Sequence, residues 1–238
     1  MALNCVILAG GNGSRFIEEG TDTPKPLIPI LGQPMIERLI NIVQPFIDGR
    51  ITVAANPQMT ELTRHLAALS ATQHNIDIIV AGHHNSFVNL YEASKHLGGR
   101  FIAITCDSVF LPSEFGRFCL EFTTLSDADI LMGVTRHVDD ESPLYAKLQP
   151  DGRIVDYRYG GTPFKGDIFI SAGVYGLSNK AYENINSSSL PQSLSDFQQR
   201  LAHDKRFFLR SFVFSKAFDV DNGHDRLQAE QFLQRAGN

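Results

Sequence analysis

A glycine-rich stretch near the start of the chain carries residue types that bind phosphate. Residues 8–16 read Leu-Ala-Gly-Gly-Asn-Gly-Ser-Arg-Phe and continue an apolar run that begins at Cys5. Glycine lets backbone N–H groups approach an anion closely, Ser14 adds a hydroxyl donor, and Arg15 adds a permanent forked positive charge. This order of residues predicts a buried strand that leads into a polyphosphate-binding loop.

Lys25 is a second candidate for contact with phosphate. It stands between Pro24 and Pro26, shortly after the loop. Proline fixes its own φ and restricts the residue before it, so we expect the two prolines to hold Lys25 on a stiff, extended backbone. A glycine-rich turn that only joins a strand to a helix would explain the glycines, but not Arg15 and Lys25.

Two familiar glycine motifs do not match the loop. A dinucleotide-binding loop needs a third glycine where Phe16 stands, and an acidic residue at the end of the second strand, where the chain has Asn56. A Walker loop needs a lysine directly after its last glycine, and Ser14 stands there instead. The sequence therefore argues against a nicotinamide cofactor and against a P-loop.

Three aspartates follow predicted strands and are candidates for a metal site. Asp107 comes at the carboxyl end of an apolar strand, where open α/β sheets bind ligands, although it could simply cap the next turn. Asp219 and Asp221 share one face of a short extended segment. Either Asp221 or Asn222 could instead be the N-cap of the last helix, with Asp225 in its first turn. Carboxylates at two strand ends suit Mg²⁺, a hard cation that prefers oxygen ligands.

The hydrophobic pattern predicts the elements that position these residues. Strands are predicted at residues 5–9, 51–55, 76–81, 101–105 and 130–134, with helices between them that begin at 34, 57, 85 and about 115. This alternation predicts a parallel, doubly wound sheet. Later in the chain, antiparallel strands are predicted at 145–148, 154–159 and 168–177, then helices at 179–186 and 192–202, a linker at 187–189, an extended return at 207–214 and a terminal helix. The predicted fold class is α/β with a smaller antiparallel β lobe.

The composition is that of an ordinary globular chain. It has 238 residues, of which 43% are hydrophobic and 20% are charged, and a net charge of −5. No overall positive field attracts nucleic acid or an anionic membrane, so neither is expected as a partner. Cys5, Cys106 and Cys119 lie in apolar stretches without metal-ligand spacing, which predicts reduced, buried thiols. Together with the lack of a basic leader or a run of transmembrane length, this favours a cytoplasmic location.

Taken together, the loop at residues 8–15 and the motif Pro24-Lys25-Pro26 resemble the sugar-phosphate nucleotidylyltransferases, or NTP transferases. The order of later motifs extends this resemblance along nearly the whole chain, through residues 32–35, 171–175, 193–197 and 218–221. The resemblance implies the nucleotide-diphospho-sugar transferase fold, a Rossmann-like doubly wound mixed sheet. It also implies one domain over residues 1–238, with a nucleotide-binding half (1–135) and an acceptor-binding half (136–238).

The resemblance further implies roles for individual residues. Arg15 would face the departing pyrophosphate, and Lys25 would touch the α-phosphate and the incoming phosphate. The implied nucleotide-binding residues are Leu8, Ala9, Gly10, Gly11, Asn12, Gly13, Ser14 and Asn85. The implied acceptor-binding residues are Gly173, Lys165 and Arg158, the last two standing in for a Glu-Lys pair that this chain lacks. The implied metal ligands are Asp107 and Asp219, with Asp221 as an alternative to Asp219.

The function expected from this resemblance is Mg²⁺-dependent transfer of a nucleoside monophosphate from a nucleoside triphosphate to a sugar 1-phosphate, which gives an NDP-sugar and pyrophosphate. Residues 82–91 are similar to nucleotidylyltransferases acting on phosphocholine and other phospho-alcohols, so cytidylyl transfer to such an acceptor is an alternative. Molybdopterin nucleotide transfer comes third. A non-catalytic nucleotide-binding regulator is the alternative from another class, and the joint presence of Arg15, Lys25, Asp107 and Asp219 argues against it. The pair His83-His84 is interpreted as a solvated turn, and a homo-oligomer is left open.

Overall fold

The computed structural model describes residues 2–11, 13–73, 75–80, 85–95, 97, 99–126, 129–138, 141–182 and 190–237. Asn12, the pair His83-His84 and the predicted linker at 187–189 lie outside the described residues. Within the described ranges, no helix has the length and apolar character needed to cross a membrane.

The elements alternate along the first half of the chain as the hydrophobic pattern predicts. The strands are β1 (Asn4–Ala9), β2 (Pro29–Ile30), β3 (Gln33–Pro34), β4 (Ile51–Ala55), β5 (Ile76–Val80), β6 (Arg100–Thr105), β7 (Ser108–Val109), β8 (Asp129–Thr135), β9 (Leu144–Leu148), β10 (Ile154–Tyr159), β11 (Phe169–Ser178), β12 (Phe208–Phe214) and β13 (Phe218–Asp219). The α-helices are α1 (Ser14–Glu18), α2 (Met35–Val43), α3 (Thr60–Thr72), α4 (Ser86–Ser94), α5 (Pro112–Thr124), α6 (Leu194–His203) and α7 (Gly223–Arg235). Short 3₁₀ turns are Lys25–Leu27, Gln44–Phe46 and Asn179–Tyr182.

One mixed sheet dominates the fold. Its path runs β10-β9-β11-β6-β1-β4-β5, and β8 pairs with β11 and β12 beside that path. The strands β6, β1, β4 and β5 are parallel, β11 is antiparallel to β6, and β12 is parallel to β8. The predicted α/β class with a mixed, doubly wound sheet is confirmed. The antiparallel strands β9 and β10 adjoin β11, so the antiparallel part continues the edge of the central sheet.

Apolar side chains cover both faces of this sheet. On one face α2, α3 and α5 pack their buried residues, and on the other face α4 and α6 do so. This two-sided cover explains why the central strands are apolar throughout instead of alternating with polar residues. A third cluster joins α7 to β2, β7 and β13 near the loop at residues 8–16. All three cysteines are buried and free, as predicted.

Some predicted boundaries are wrong for local reasons. The helix expected at residue 57 begins at Thr60, because Asn56 Oδ1 accepts a hydrogen bond from Gln58 N and forms a turn there. The segment around Lys25 is not simply extended: Leu27 N donates to Pro24 O at 2.8 Å and closes a 3₁₀ turn. Proline fits the first turn of such a helix, since no intrahelical donor is needed at that position.

Candidate active site

The glycine loop and Asp107 meet because they follow neighbouring parallel strands. The loop follows β1 and Asp107 follows β6, and Leu8 lies opposite Thr105 in this ladder. One further backbone bond, from Cys106 N to Leu8 O, continues the pairing past the strand ends. Carboxyl ends of adjacent parallel strands lie at the same edge of a sheet, which is where open α/β sheets bind ligands.

Gly13 lets the loop pack directly against Lys25. Its φ is +64°, and a Cβ there would lie 2.7 Å from Lys25 Cβ. Gly10 has a similar constraint, since its Cβ would lie 2.9 Å from Asn89 Nδ2 on α4. These two glycines therefore serve a close approach, as well as the turn into α1.

Lys25 is a buried cation between two carboxylates. The residue is 5% exposed. Its Nζ lies 2.5 Å from Asp107 Oδ2 and also donates to Asp221 Oδ1. Burial lowers the pKa of Lys25, but the charges of Asp107, Asp219 and Asp221 outweigh burial and raise the pKa above its ordinary value. Burial raises the pKa of Asp107, whereas the charge of Lys25 and its hydrogen bond hold it below the usual range. Both groups are therefore charged at neutral pH.

A small antiparallel ladder brings the C-terminal aspartates to Asp107. Strand β13 pairs with β7, so that Asp219 lies opposite Ser108. Val220 N also donates to the backbone oxygen of Asp107 at 3.1 Å. One carboxylate oxygen from each of Asp107, Asp219 and Asp221 lies within 4.8 Å of the others.

Asp221 faces the site, and its neighbour caps the helix. The side chain of Asn222 accepts from Asp225 N at 3.0 Å and is the N-cap of α7. Asp225 in turn accepts from Asp221 N. Asp221 Oδ2 instead accepts from Arg15 Nη1 at 2.7 Å. The choice that the sequence left open between Asp221 and Asn222 as the cap falls on Asn222.

The carboxylate cluster fits a hard divalent cation. Three carboxylates face the two cationic side chains of Arg15 and Lys25, which leaves one negative charge in excess. Asp107 Oδ1 is buried and has no hydrogen-bond partner among the described residues. Oxygen donors with excess negative charge are the set that Mg²⁺ prefers.

A cavity of about 200 Å³ adjoins this cluster. At the cluster end it is lined by Asp107 and Asp219, and its wall includes Gly173 of β11. Gly173 has φ +70°, and β11 shifts register between Ser171 and Tyr175, which bends the strand at this point. The bend opens the cavity next to the carboxylates.

The comparisons with known proteins agree with this geometry. Residues 5–152 match the model of the MobA-like NTP transferase domain. The chain belongs to this family. It is therefore a member of a nucleotidyltransferase family, and the resemblance drawn from the loop and Lys25 is confirmed.

A curated relative and two solved structures extend the comparison. The bifunctional protein GlmU of Methanococcus aeolicus is 22% identical over 185 residues, which are 76% of this chain and 41% of that protein. A putative glucose-1-phosphate thymidylyltransferase from Bacillus anthracis has a TM-score of 0.83 at 20% identity, covering 97% of this chain and 95% of that one. The inositol-1-phosphate CTP transferase from T. maritima has a TM-score of 0.76 at 17% identity, covering 99% and 96%. These structures establish the nucleotide-diphospho-sugar transferase fold.

The structure places the other predicted residues of this NTP transferase domain as follows. Leu8 and Ala9 are buried at the end of β1, Gly11 is exposed, and Ser14 opens α1. Asn85 is the N-cap of α4 and donates from Nδ2 to Pro191 O at 2.8 Å. Its side chain thus has a structural partner on each side.

The two predicted acceptor-binding cations lie outside the cavity lining. Arg158 is exposed on β10, where it donates to Thr162 O at 3.0 Å and covers the ring of Phe164 at 4.3 Å. Lys165 is exposed in the loop that follows. Neither side chain is among those that line the cavity.

Sequence reasoning missed Gln198, which lines the cavity from α6. A signal for it was present. Leu194, Phe197 and Leu201 mark the apolar face of α6, and helical spacing places Gln198 on that same face. A polar residue in an apolar stripe indicates either a buried hydrogen-bond network or a ligand.

Proposed function

We propose that this protein transfers a nucleoside monophosphate from a nucleoside triphosphate to a sugar 1-phosphate or a related phosphorylated polyol, with Mg²⁺ as cofactor and pyrophosphate as the second product. The observation that carries this proposal is the placement of Lys25. It lies between Asp107 and Asp221, at the carboxyl edge of the parallel sheet and against the glycine loop.

The proposed reaction forms one bond and breaks one. A phosphate oxygen of the acceptor attacks the α-phosphorus of the nucleoside triphosphate, and the bond from that phosphorus to the bridging oxygen of pyrophosphate breaks. The electron pair leaves with pyrophosphate. Because the attacking oxygen is already anionic near neutral pH, the reaction requires no proton abstraction. Rate enhancement then depends on positioning and on stabilising charge.

Each basic residue has a defined place in this proposal. Arg15 opens α1 directly after the glycine loop, where its forked donors suit the β- and γ-phosphates that depart as pyrophosphate. Lys25 lies deeper, beside Asp107, where its ammonium suits the α-phosphate and the acceptor phosphate. The exposed backbone at Gly11 supplies N–H groups for the same phosphates.

Asp107 and Asp219 would hold the metal, with Asp221 as the third carboxylate of the cluster. A bound Mg²⁺ would neutralise the charge that accumulates when two phosphates approach each other. The protein's own part is to hold the carboxylates together, which it does through the β7–β13 ladder and the Asp107–Val220 backbone bond.

The names of the solved relatives support a phosphorylated polyol as acceptor. One is named for glucose 1-phosphate and another for inositol 1-phosphate. The same names differ in the nucleotide, since one specifies thymidylyl transfer and the other CTP. Cytidylyl transfer to a phospho-alcohol is the second candidate, and the CTP-dependent relative from T. maritima supports it.

Pyrophosphate release tests the proposal directly. The enzyme is incubated with each of ATP, GTP, CTP, UTP and dTTP against glucose 1-phosphate, myo-inositol 1-phosphate and phosphocholine, with Mg²⁺ or with EDTA. We expect release with at least one polyol phosphate, only with Mg²⁺, and its loss in Lys25→Ala but not in the exposed control Lys205→Ala. No release in any combination would overturn the proposed function and favour a nucleotide-binding regulator.

A further inference from the structure

The wall of the cavity away from the aspartates is built from a hydrogen-bonded group of three side chains. The Ser171 hydroxyl donates to Gln198 Oε1 at 3.2 Å, and Gln198 Nε2 donates to the Tyr175 hydroxyl at 3.4 Å. The hydroxyl oxygens of Ser171 and Tyr175 are 3.4 Å apart. All three residues line the cavity. We call this group the Gln198 cluster.

The cluster is connected to the carboxylates. Burial raises the pKa of Tyr175, and the negative charges of Asp219 and Asp107 raise it further. Its hydroxyl therefore stays protonated and can donate. Tyr175 thus lies between the end of the cavity where phosphate chemistry is proposed and the end where Gln198 lies.

Gln198 keeps hydrogen-bonding capacity that its protein partners do not use. The residue is 2% exposed and lies on the apolar face of α6. An amide side chain offers two donors and two lone pairs, and the two bonds of the cluster use one of each. Buried polar groups are normally satisfied, because desolvation without a partner costs free energy. The remaining N–H and lone pair match a hydroxyl group, which can both accept and donate.

The charge of the lining separates the acceptor classes. Among the described residues that line the cavity, the carboxylates Asp107, Asp219 and Asp225 are at the phosphate end, and no Lys, Arg or Glu is present. A quaternary ammonium group binds best to carboxylates or to an enclosing cage of aromatic rings. The Gln198 cluster supplies neither, and the nearby Tyr159 is 67% exposed.

The size of the cavity indicates a compact acceptor. Its volume of about 200 Å³ is below the range of roughly 300–1,000 Å³ that is typical of pockets for drug-sized ligands. A single ring that bears hydroxyl groups has the right scale and the right polarity.

We propose that Gln198, held in place by Ser171 and Tyr175, is the residue through which the enzyme selects an acceptor with a free hydroxyl group on its ring and rejects a quaternary-ammonium acceptor. This inference rests on the proposed function and adds the specificity determinant of the acceptor end. Gln198 donates to and accepts from one ring hydroxyl, while the phosphate of the same acceptor lies toward Lys25.

The test compares Gln198→Leu with Gln199→Leu in the pyrophosphate-release assay. Gln199 is the next residue of α6, is exposed and does not line the cavity, so it is a matched control. We expect Gln198→Leu to raise the KM for glucose 1-phosphate or myo-inositol 1-phosphate by about tenfold or more, since the hydroxyl loses its buried partner. The KM for the nucleoside triphosphate should not change, and Gln199→Leu should behave as wild type.

A second comparison separates recognition from a merely structural role. The wild type and Gln198→Leu are each assayed with the better polyol phosphate and with its monodeoxy analogues. If Gln198 binds one hydroxyl, removal of that hydroxyl and removal of the amide delete the same contact, so their losses in kcat/KM are not additive. Additive losses at every ring position would overturn the inference. Wild-type kcat/KM with phosphocholine should be at least about a hundredfold lower than with the better polyol phosphate.

The outcomes distinguish the two proposals. Release with polyol phosphates and a selective KM effect in Gln198→Leu support both. Release with phosphocholine as the preferred acceptor, or equal effects of Gln198→Leu on both substrates, overturns the inference while nucleotidyl transfer stands. No release with any substrate pair overturns the proposed function itself. If Gln198→Leu fails to fold, the deoxy analogues and phosphocholine with the wild type still decide, because loss at one ring hydroxyl is required.

Discussion

Lys25 Nζ lies 2.5 Å from Asp107 Oδ2, although 82 positions separate these residues in the chain. The contact depends on the 3₁₀ turn at Lys25–Leu27 and on the end of strand β6. Neither group would be stable alone in this place, since an unpaired charge at a buried position is costly. The pair therefore keeps a cation ready beside a carboxylate at the edge of the sheet.

Loss of either cation should abolish most of the activity. Arg15→Ala and Lys25→Ala each remove one preorganised positive charge from the phosphates, and we expect kcat/KM to fall by about 100-fold or more. Steady-state pyrophosphate release measures the effect. The exposed pair Arg64→Ala and Lys205→Ala serves as control and should leave kcat/KM unchanged. Near-normal turnover in both site variants would refute the proposed role of these side chains.

Removal of the Lys25 charge should also make stability depend on Mg²⁺. In Lys25→Met the three carboxylates lose their buried counter-ion, and we expect a loss of about 1–3 kcal/mol in the free energy of unfolding. Added Mg²⁺ would bind the folded state and recover part of the loss. Thermal unfolding in EDTA and in Mg²⁺ measures this. The variant should gain more in Tm from Mg²⁺ than the wild type does, and an equal gain would count against a metal at this cluster.

The metal ligands can be separated by isosteric substitution. Asp107→Asn and Asp219→Asn keep the shape of each side chain and remove one negative charge, so the Mg²⁺ concentration for half-maximal activity should rise by about tenfold or more. Asp151→Asn, in an exposed turn, is the control. If either site variant shows the Mg²⁺ dependence of the wild type, that aspartate is not a ligand.

The sequence predicted the parts of the site that are local and missed those that depend on distant contacts. The glycine loop and Lys25 carry their chemistry in adjacent residues, and the strands that lead to them are continuous apolar runs. The conformation at Lys25 was wrong, because a hydrogen bond from Leu27 N to Pro24 O is compatible with both prolines and leaves no mark in the sequence. The ion pairs of Asp221 with Lys25 and Arg15 join segments about 200 residues apart, so no spacing rule could find them. The β7–β13 ladder is two residues long on each side, too short for a periodic pattern.

Gly173→Ala should impair both folding and activity. A Cβ at this position would lie 2.0 Å from Ser108 Oγ and 2.4 Å from Thr105 Oγ1, next to Asp107. The backbone cannot relax easily, since φ is +70° in a bent strand. We expect a loss of about 2–4 kcal/mol in the free energy of unfolding and a fall in kcat.

Gly161→Ala is the control that isolates the steric contact from the cost of the backbone conformation. Gly161 has φ +68°, and a Cβ there would meet no atom within 4 Å. Its substitution should cost only about 1 kcal/mol and leave kcat unchanged. Chemical denaturation and pyrophosphate release measure the two effects. Equal losses in the two variants would mean that the contact with Thr105 and Ser108 is unimportant.

Two neighbouring residues at the start of α7 should separate stability from catalysis. Asn222→Ala removes the N-cap of α7 but leaves the contacts of Asp221 with Arg15 and Lys25, so it should cost about 1 kcal/mol with kcat/KM nearly unchanged. Asp221→Asn keeps the cap but weakens both ion pairs, so it should change kcat/KM and the Mg²⁺ dependence with little loss of helix stability. Thermal unfolding and pyrophosphate release on both variants give the comparison. The reverse pattern, in which Asp221→Asn loses stability alone and Asn222→Ala loses activity, would assign the cap and the site to the wrong residues. The expected pattern follows because Asn222 Oδ1 is bonded to Asp225 N, whereas both carboxylate oxygens of Asp221 face cations.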